Sequence, residues 1–214
     1  MTDKLSIYNG ALTILGERRL ATLTENREPR HKLDDIFDND FVNRVLQMGQ
    51  WQFAQRTVQL DSSPSITPSF GYIFAFESPV DWLRTMAVCY DEYFQIPITR
   101  YSREGAFWFS DADPIFVKYV SNDVQFGADF SLWPMNFTEM AEHYMAMKVA
   151  PRLTGLDYDS NELARWYKMW LGEAKAVDAM EEPAKFPPKG GWARSRQGFR
   201  NADFDGGSRN QLIG

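Results

Sequence analysis

The chain has one cysteine and two histidines in 214 residues. A single cysteine excludes an internal disulfide framework and fits a reducing compartment. Cys89 lies in Thr85-Met-Ala-Val-Cys-Tyr90, among apolar neighbours and beside no group that would stabilise a thiolate, so it reads as a packed thiol. His31 and His143 are far apart, and no Cys/His spacing suits a metal. No serine sits in an elbow motif, so a catalytic triad has no signature here. A glycine-rich phosphate loop and a cofactor box are also missing, and no cofactor is expected. No apolar run reaches the roughly eighteen residues that a membrane span needs. The start, Met1-Thr-Asp-Lys-Leu-Ser-Ile7, lacks the basic-then-apolar pattern of a secretory signal.

What is present is a globular composition, 44% hydrophobic and 15% aromatic, on a chain long enough to bury a core. The net charge of −6 is uneven. Residues 183–214 carry six basic side chains against two aspartates, a net of +4, which leaves −10 on the first 182 residues. An acidic body argues against tight nucleic-acid binding, and a basic tail suggests a separate interaction element.

The periodicity predicts helix, strand, then helix. Leu5, Tyr8, Leu12 and Leu15 recur at helical spacing over residues 3–16, with Thr2 as a cap and Gly16 as a left-handed stop. A second helix starts near Asn26 or Arg27, tolerates Pro29 in its first turn, and carries Leu33, Ile36, Phe37, Phe41, Val45 and Met48 on one face. Asp34, Asp35, Asp38 and Asp40 read as its solvated face rather than a metal or acid–base site. His31 is placed to pair with Asp35 across one turn. Phe70–Asp123 is dense in aromatic and β-branched residues. With Thr57–Leu60 it predicts strands near 72–76, 82–90, 94–100, 106–110 and 115–120, and a turn at Asp111–Pro114. A third helix opens at Asn136-Phe-Thr-Glu139, a capping-box spacing, with Pro151 and Gly155 ending it. A fourth opens at Asp159 and runs a seam of Leu163, Tyr167, Trp170, Ala174 and Val177. Trp166 and Trp170 suggest either a stacking site or helix packing, the latter being the plainer reading. His143 reads as a packed or solvated residue.

The expected fold is therefore α+β: a four-helix bundle-like domain with an inserted small antiparallel sheet or sandwich, and an extended C-terminal arm. Residues 1–56 hold helices one and two, 57–130 the inserted β domain, 131–182 helices three and four, and 183–214 the arm. The arm has three prolines and six glycines and no helical period. Large side chains punctuate it: Phe186, Trp192, Phe199, Phe204, Leu212 and Ile213. With Arg194, Arg196 and Arg200 they form the candidate partner-binding set. A disordered tail, a tail folded back on its own domain, and a nucleic-acid arm with interleaved arginines and aromatics compete with that reading.

One stretch resembles a known family. Tyr72-Ile-Phe-Ala-Phe-Glu-Ser-Pro79-Val-Asp81-Trp-Leu83-Arg84 is similar to the tyrosine–alanine, proline, aspartate, leucine–arginine signature of phage head-to-tail adaptors, the tail tubular protein A family of podophage-like connectors. Glu104-Gly105 with Ala106-Phe-Trp-Phe109, and Ile115-Phe-Val-Lys-Tyr-Val120, resemble the family's strand pair. Phe137–Gly155, including Ala150-Pro-Arg-Leu-Thr-Gly155, looks like its third helix; Leu5–Gly16 and Thr24–Pro29 look like its first helix and following turn. The resemblance spans about residues 3–180 and rests on the ordered set rather than on any one motif.

The resemblance implies a non-enzymatic virion protein at the head–tail junction, synthesised in the host cytoplasm. It implies a ring, commonly of twelve subunits, beneath the portal. Its partners would be the portal protein, neighbouring subunits and a downstream tail or nozzle protein, with DNA passing through without specific binding. The basic arm would dock on the portal. Two other classes stay open: a nucleic-acid-binding module using the arm, and a hydrolase using carboxylates that no motif singles out.

Overall fold

The computed structural model describes residues 2–68, 70–155 and 158–181. Met1–Glu181 form one compact unit. Residues 182–214 lie outside the described residues. Within the first unit the order is α1 (Lys4–Ile14), α2 (Glu28–Asp38), α3 (Phe41–Gln47), β1 (Gln55–Leu60), β2 (Phe74–Glu77), β3 (Trp82–Cys89), β4 (Tyr101–Glu104), β5 (Phe107–Ser110), β6 (Ile115–Ser121), α4 (Met135–Leu153) and α5 (Ser160–Glu181).

The α+β class holds, but the expected four-helix bundle with one inserted sheet does not form. Among the described residues there are five α-helices and two three-stranded sheets. The long second helix breaks because Asp40 takes a left-handed backbone (φ 58°), which separates α2 from α3. The hydrophobic spacing runs unbroken through the break, so periodicity alone joins the two helices. α4 is the helical hub and packs against α1, α2 and α5. Its inward face, Phe137, Met140, Ala141, Tyr144, Met145 and Val149, is buried with Ile7, Leu12, Leu33, Phe41 and Val45. Phe137 makes edge-to-face contacts with Trp51, Phe53 and Trp133 at 4.7–4.8 Å between ring centroids.

The strand segment folds into antiparallel sheets in the orders β1-β6-β3 and β2-β5-β4. Alternate residues of β6, Ile115, Val117 and Tyr119, pack with Phe76, Trp108, Val88 and Ile98 in a second core. Val120 joins the helical core instead, so the end of β6 ties the two cores together. The strand expected at 94–100 does not form. There the chain makes the Cys89–Pro97 bridge, with the Tyr90 N–H donating to the Ile96 carbonyl (3.0 Å) and the Ile98 N–H to the Val88 carbonyl (2.8 Å). β5 pairs with β2 on one side and with β4, not residues 94–100, on the other.

Other local expectations shift by a few residues. α1 is capped by Asp3, whose carboxylate accepts from the Ser6 N–H while the Ser6 hydroxyl accepts from the Asp3 N–H, so Thr2 is not the cap. Gly16 does supply the left-handed stop (φ 73°). α4 starts after Pro134 without a capping box and continues through Pro151 to Leu153. Asp159 caps α5, accepting from the N–H groups of Asn161 and Glu162 (2.8 and 3.2 Å). His31 contacts Arg30 and Asn26 rather than Asp35. Cys89 is buried, and burial pushes its thiol above the ordinary range.

Asp is among the few non-glycine residues that tolerate the left-handed region, at some cost. Asp40→Gly is expected to raise stability by about 0.5 kcal/mol, read as a higher urea midpoint at unchanged slope; a lower midpoint would show that the side chain stabilises the α2–α3 corner.

Candidate interaction surfaces

The predicted partner-binding residues Phe186, Trp192, Arg194, Arg196, Phe199, Arg200, Phe204, Leu212 and Ile213 all lie outside the described residues. α5 ends at Glu181, just before that segment. Three features of the first unit concern its function.

The first is the Pro79–Arg84 run. Asp81 stands just before β3, and its carboxylate is only 14% exposed. It accepts from Arg56 Nη1 of β1 (2.9 Å), from the Tyr119 hydroxyl of β6 (3.1 and 3.2 Å) and from the Ser121 hydroxyl (2.5 Å). Its backbone carbonyl accepts from the Asn122 N–H at 3.0 Å. Burial opposes ionisation of Asp81, but the bonds from Ser121 and Arg56 outweigh it and hold the carboxyl below the usual range. Burial and the Asp81 charge push the Tyr119 phenol upward. The neighbouring Trp82 sits edge-on to Trp108 and carries the Arg103 guanidinium over its ring at 3.4 Å. Arg84 Nη1 donates to the carbonyl of Gln47, the last residue of α3 (3.2 Å). The run that carries the family resemblance therefore clamps the three strands of one sheet and ties it to the helices.

The second is a set of large apolar side chains held in solvent by ordered loops. In the turn after β3, the Asp91 carboxylate accepts from the N–H groups of Gln95 and Ile96, and those bonds hold Asp91 below the usual carboxylate range. Phe94 takes a left-handed backbone (φ 56°) there, with Lys118 over its ring at 4.9 Å. The turn leaves Tyr93 and Ile96 73% and 58% exposed. Arg100 Nη2 donates to the Gly71 carbonyl (3.1 Å) and ties the following segment to the loop that exposes Phe70 and Ile73. β4 lies at the edge of its sheet, and among the described residues no strand covers its outer side. The aromatic density of Phe70–Asp123 was visible in the sequence; which of its side chains face outward was not.

The third is a cavity of about 550 Å³ where the end of α1, α4 and the start of α5 meet. Glu139 and His143 of α4 and Glu162, Trp166 and Trp170 of α5 line it, with Asp159 at the α5 cap. Trp170 packs toward the helical core and meets His143 edge-on at 6.0 Å, whereas Trp166 is 41% exposed. Trp170 thus takes part in helix packing, and both tryptophans line the cavity. Beside the cavity, Glu142 lies over Gly10 of α1, where a Cβ would overlap its carboxyl group. Burial, and then the charge of Glu139, push Glu142 up to about 7. The aspartates of α2 are not all free either. Asp34 accepts from the Tyr8 hydroxyl (2.7 Å) and pairs with Lys4 and Arg30. Among the described residues no group of three or more His, Cys, Asp or Glu side chains could hold a metal, and no helix is long and apolar enough to cross a membrane.

No family model matches the chain, and no curated protein matches it.

Replacing Asp81 by Asn removes the charge from a half-buried acceptor of three side-chain donors. The expected cost is about 2–4 kcal/mol in urea unfolding. Since the Asp81 pKa is depressed in the fold, its stabilisation is present above the unfolded value and lost as pH falls through the folded one. The variant should therefore also lose part of the wild-type acid sensitivity below about pH 4. Glu142 has the opposite sign: its raised pKa lowers stability as pH climbs from about 4.5 to about 7. Glu142→Gln should flatten that slope and be more stable at pH 8 by about 1 kcal/mol after solvent screening; parallel pH–stability curves would refute the assignment.

Proposed function

We propose that the chain is a non-enzymatic head-to-tail adaptor of a phage virion, a ring subunit that joins the portal to the tail beneath the capsid. The observation that carries this reading is the ordered set of segments resembling such adaptors, centred on Tyr72–Arg84. The geometry supports an assembly protein: Phe70, Ile73, Tyr93 and Ile96 stand in solvent on loops held by Asp91 and Arg100, an arrangement suited to being covered by other subunits. An acidic body, −10 over the first 182 residues, suits a conduit to which passing DNA does not adhere.

In this proposal the partners are the portal protein, identical neighbours in the ring and a downstream tail or nozzle protein. The basic segment 183–214 docks on the portal, with Trp192, Phe199 and Phe204 as anchors and the arginines around them. Its ordering cost is met on docking. The rival reading, a nucleic-acid-binding module, rests on the +4 charge of the same segment.

Electron microscopy of the chain mixed with the portal protein of its own phage should show rings capping the portal. A chain truncated after residue 183 should stay folded and fail to cap it. Capping by the truncated chain would overturn the role of the segment, and no capping by the full chain would overturn the adaptor reading. DNA affinity that falls about tenfold or more between 50 and 200 mM salt would favour the nucleic-acid module.

A further inference from the structure

Where α2, α3 and α4 meet, another cavity of about 210 Å³ opens on the surface. Its wall carries Arg44 of α3 and Lys148 and Arg152 of α4 against one carboxylate, Asp35 of α2, a net of +2. The body around it is acidic, −10 over the first 182 residues. Elsewhere basic side chains are matched: Arg30 by Asp34, Arg56 by Asp81, Arg100 by Asp111. Here Arg44 has no hydrogen-bond or ion-pair partner among the described residues. Lys148 has only the Tyr144 ring, 5.4 Å from its Nζ, and Arg152 reaches Asp35 only at 3.8 Å. A second feature is independent of these charges. Tyr144 is only 7% exposed, its ring packed between Phe41 and Tyr167 at 6.0 and 5.5 Å between centroids. The phenols of Tyr8, Tyr119 and Tyr167 each donate to another group of the protein. The Tyr144 hydroxyl has no such partner among the described residues and is not sealed from solvent, and Tyr144 lines this cavity. A buried hydroxyl ordinarily finds a partner; this one is an unused donor facing a positive cavity.

We propose that this cavity binds a phosphate monoester group, with Arg44, Lys148 and Arg152 as its cations and the Tyr144 hydroxyl as a fixed donor. A phosphate monoester carries about −1.5 to −2 at pH 7 and presents strong acceptor oxygens, which matches the net charge of the wall. A carboxylate or a phosphodiester carries a single charge and leaves part of the wall unmatched. Guanidinium forks from two helices suit phosphate oxygens, and the lysine adds a compact point charge. At about 210 Å³ the cavity holds the phosphoryl head and leaves the esterified group at the surface. A free small molecule and a phosphorylated protein side chain both present this group. The assignment does not depend on the adaptor reading.

The test is calorimetric titration of the full chain with phenyl phosphate near neutral pH and at fixed ionic strength. Saturable binding is expected. Benzoate and methyl phenyl phosphate, each with a single charge, should bind about fivefold more weakly or less well still. Arg44→Gln combined with Lys148→Gln, both at exposed positions, should weaken phenyl phosphate binding about tenfold or more. Tyr144→Phe keeps the packed ring, removes only the hydroxyl, and should weaken binding about threefold to tenfold. Asp35→Asn takes the one negative charge out of the wall and should tighten binding, an effect that a purely structural role for these side chains does not produce. No saturable binding of phenyl phosphate, equal binding of benzoate or methyl phenyl phosphate, unchanged affinity in the double variant or in Tyr144→Phe, or weaker binding in Asp35→Asn would overturn the proposal. Free O-phosphoserine and a short glycine–serine peptide carrying one phosphoserine separate the sources. Tighter binding of the peptide identifies a protein segment, and equal or tighter binding of the free amino acid identifies a small molecule.

Discussion

The carboxylate of Asp81 is where the strands and the helices of this protein are made to agree. It takes bonds from β1 through Arg56 and from β6 through Tyr119 and Ser121, and it stands at the start of β3. β6 is the middle strand of that sheet, and its buried residues enter both cores. Fixing the register of β3 and β1 on β6 therefore also fixes how the aromatic core around Trp108 lies against the helical core around Phe137. A half-buried charge is costly unless fully satisfied, and here a carboxylate at the start of β3 is satisfied by groups from β1 and β6, so only the correct pairing meets the cost.

α4 plays the corresponding part among the helices. One of its faces is buried against α1 and α2, and another receives α5. α5 reaches further than its seam suggests: the Tyr167 hydroxyl meets Met48 Sδ (2.9 Å), and Asp178 accepts from the Gln52 N–H (2.8 Å). The last long helix of the described unit is thereby anchored to the segment leading into β1. In the adaptor reading that matters, because α5 precedes the basic segment proposed to meet the portal, and an anchored helix transmits position where a loose one would not.

The carboxylates of the unit differ in what compensates them. Asp34 and Asp81 are enclosed by donors and cations and hold elements together. Glu139 and Glu162 line one cavity, Glu142 lies beside it, and among the described residues Arg19 is the cation that acts on Glu142. Groups of the first kind stabilise the fold as they stand; Glu142, raised first by burial, lowers its stability once ionised. The same division holds for the large apolar residues, with Trp51, Trp108 and Phe137 buried while Tyr93 and Ile96 are held out by a strained, hydrogen-bonded turn.

The sequence by itself determined the elements whose signals are local. Helical spacing placed α1, α4 and α5 to within a few residues, alternation placed β1, aromatic and β-branched density placed β2, β3, β5 and β6, and the apolar setting of Cys89 marked it as buried. It also determined the charge division between an acidic body and a basic end. Tertiary structure decided the rest, for physical reasons. The break at Asp40 leaves the hydrophobic period intact, so no pattern in the chain marks it. The choice of β4 over residues 94–100 as the partner of β5 depends on the turn at Gly105 and on register, since both segments have strand-like composition. Asp81 became a hub, and Glu139, His143, Glu162 and Trp166 became one cavity wall, only because chain folding brought together groups up to 40 residues apart in the first case and on separate helices in the second. Interactions over such separations are set by packing, which no local pattern encodes.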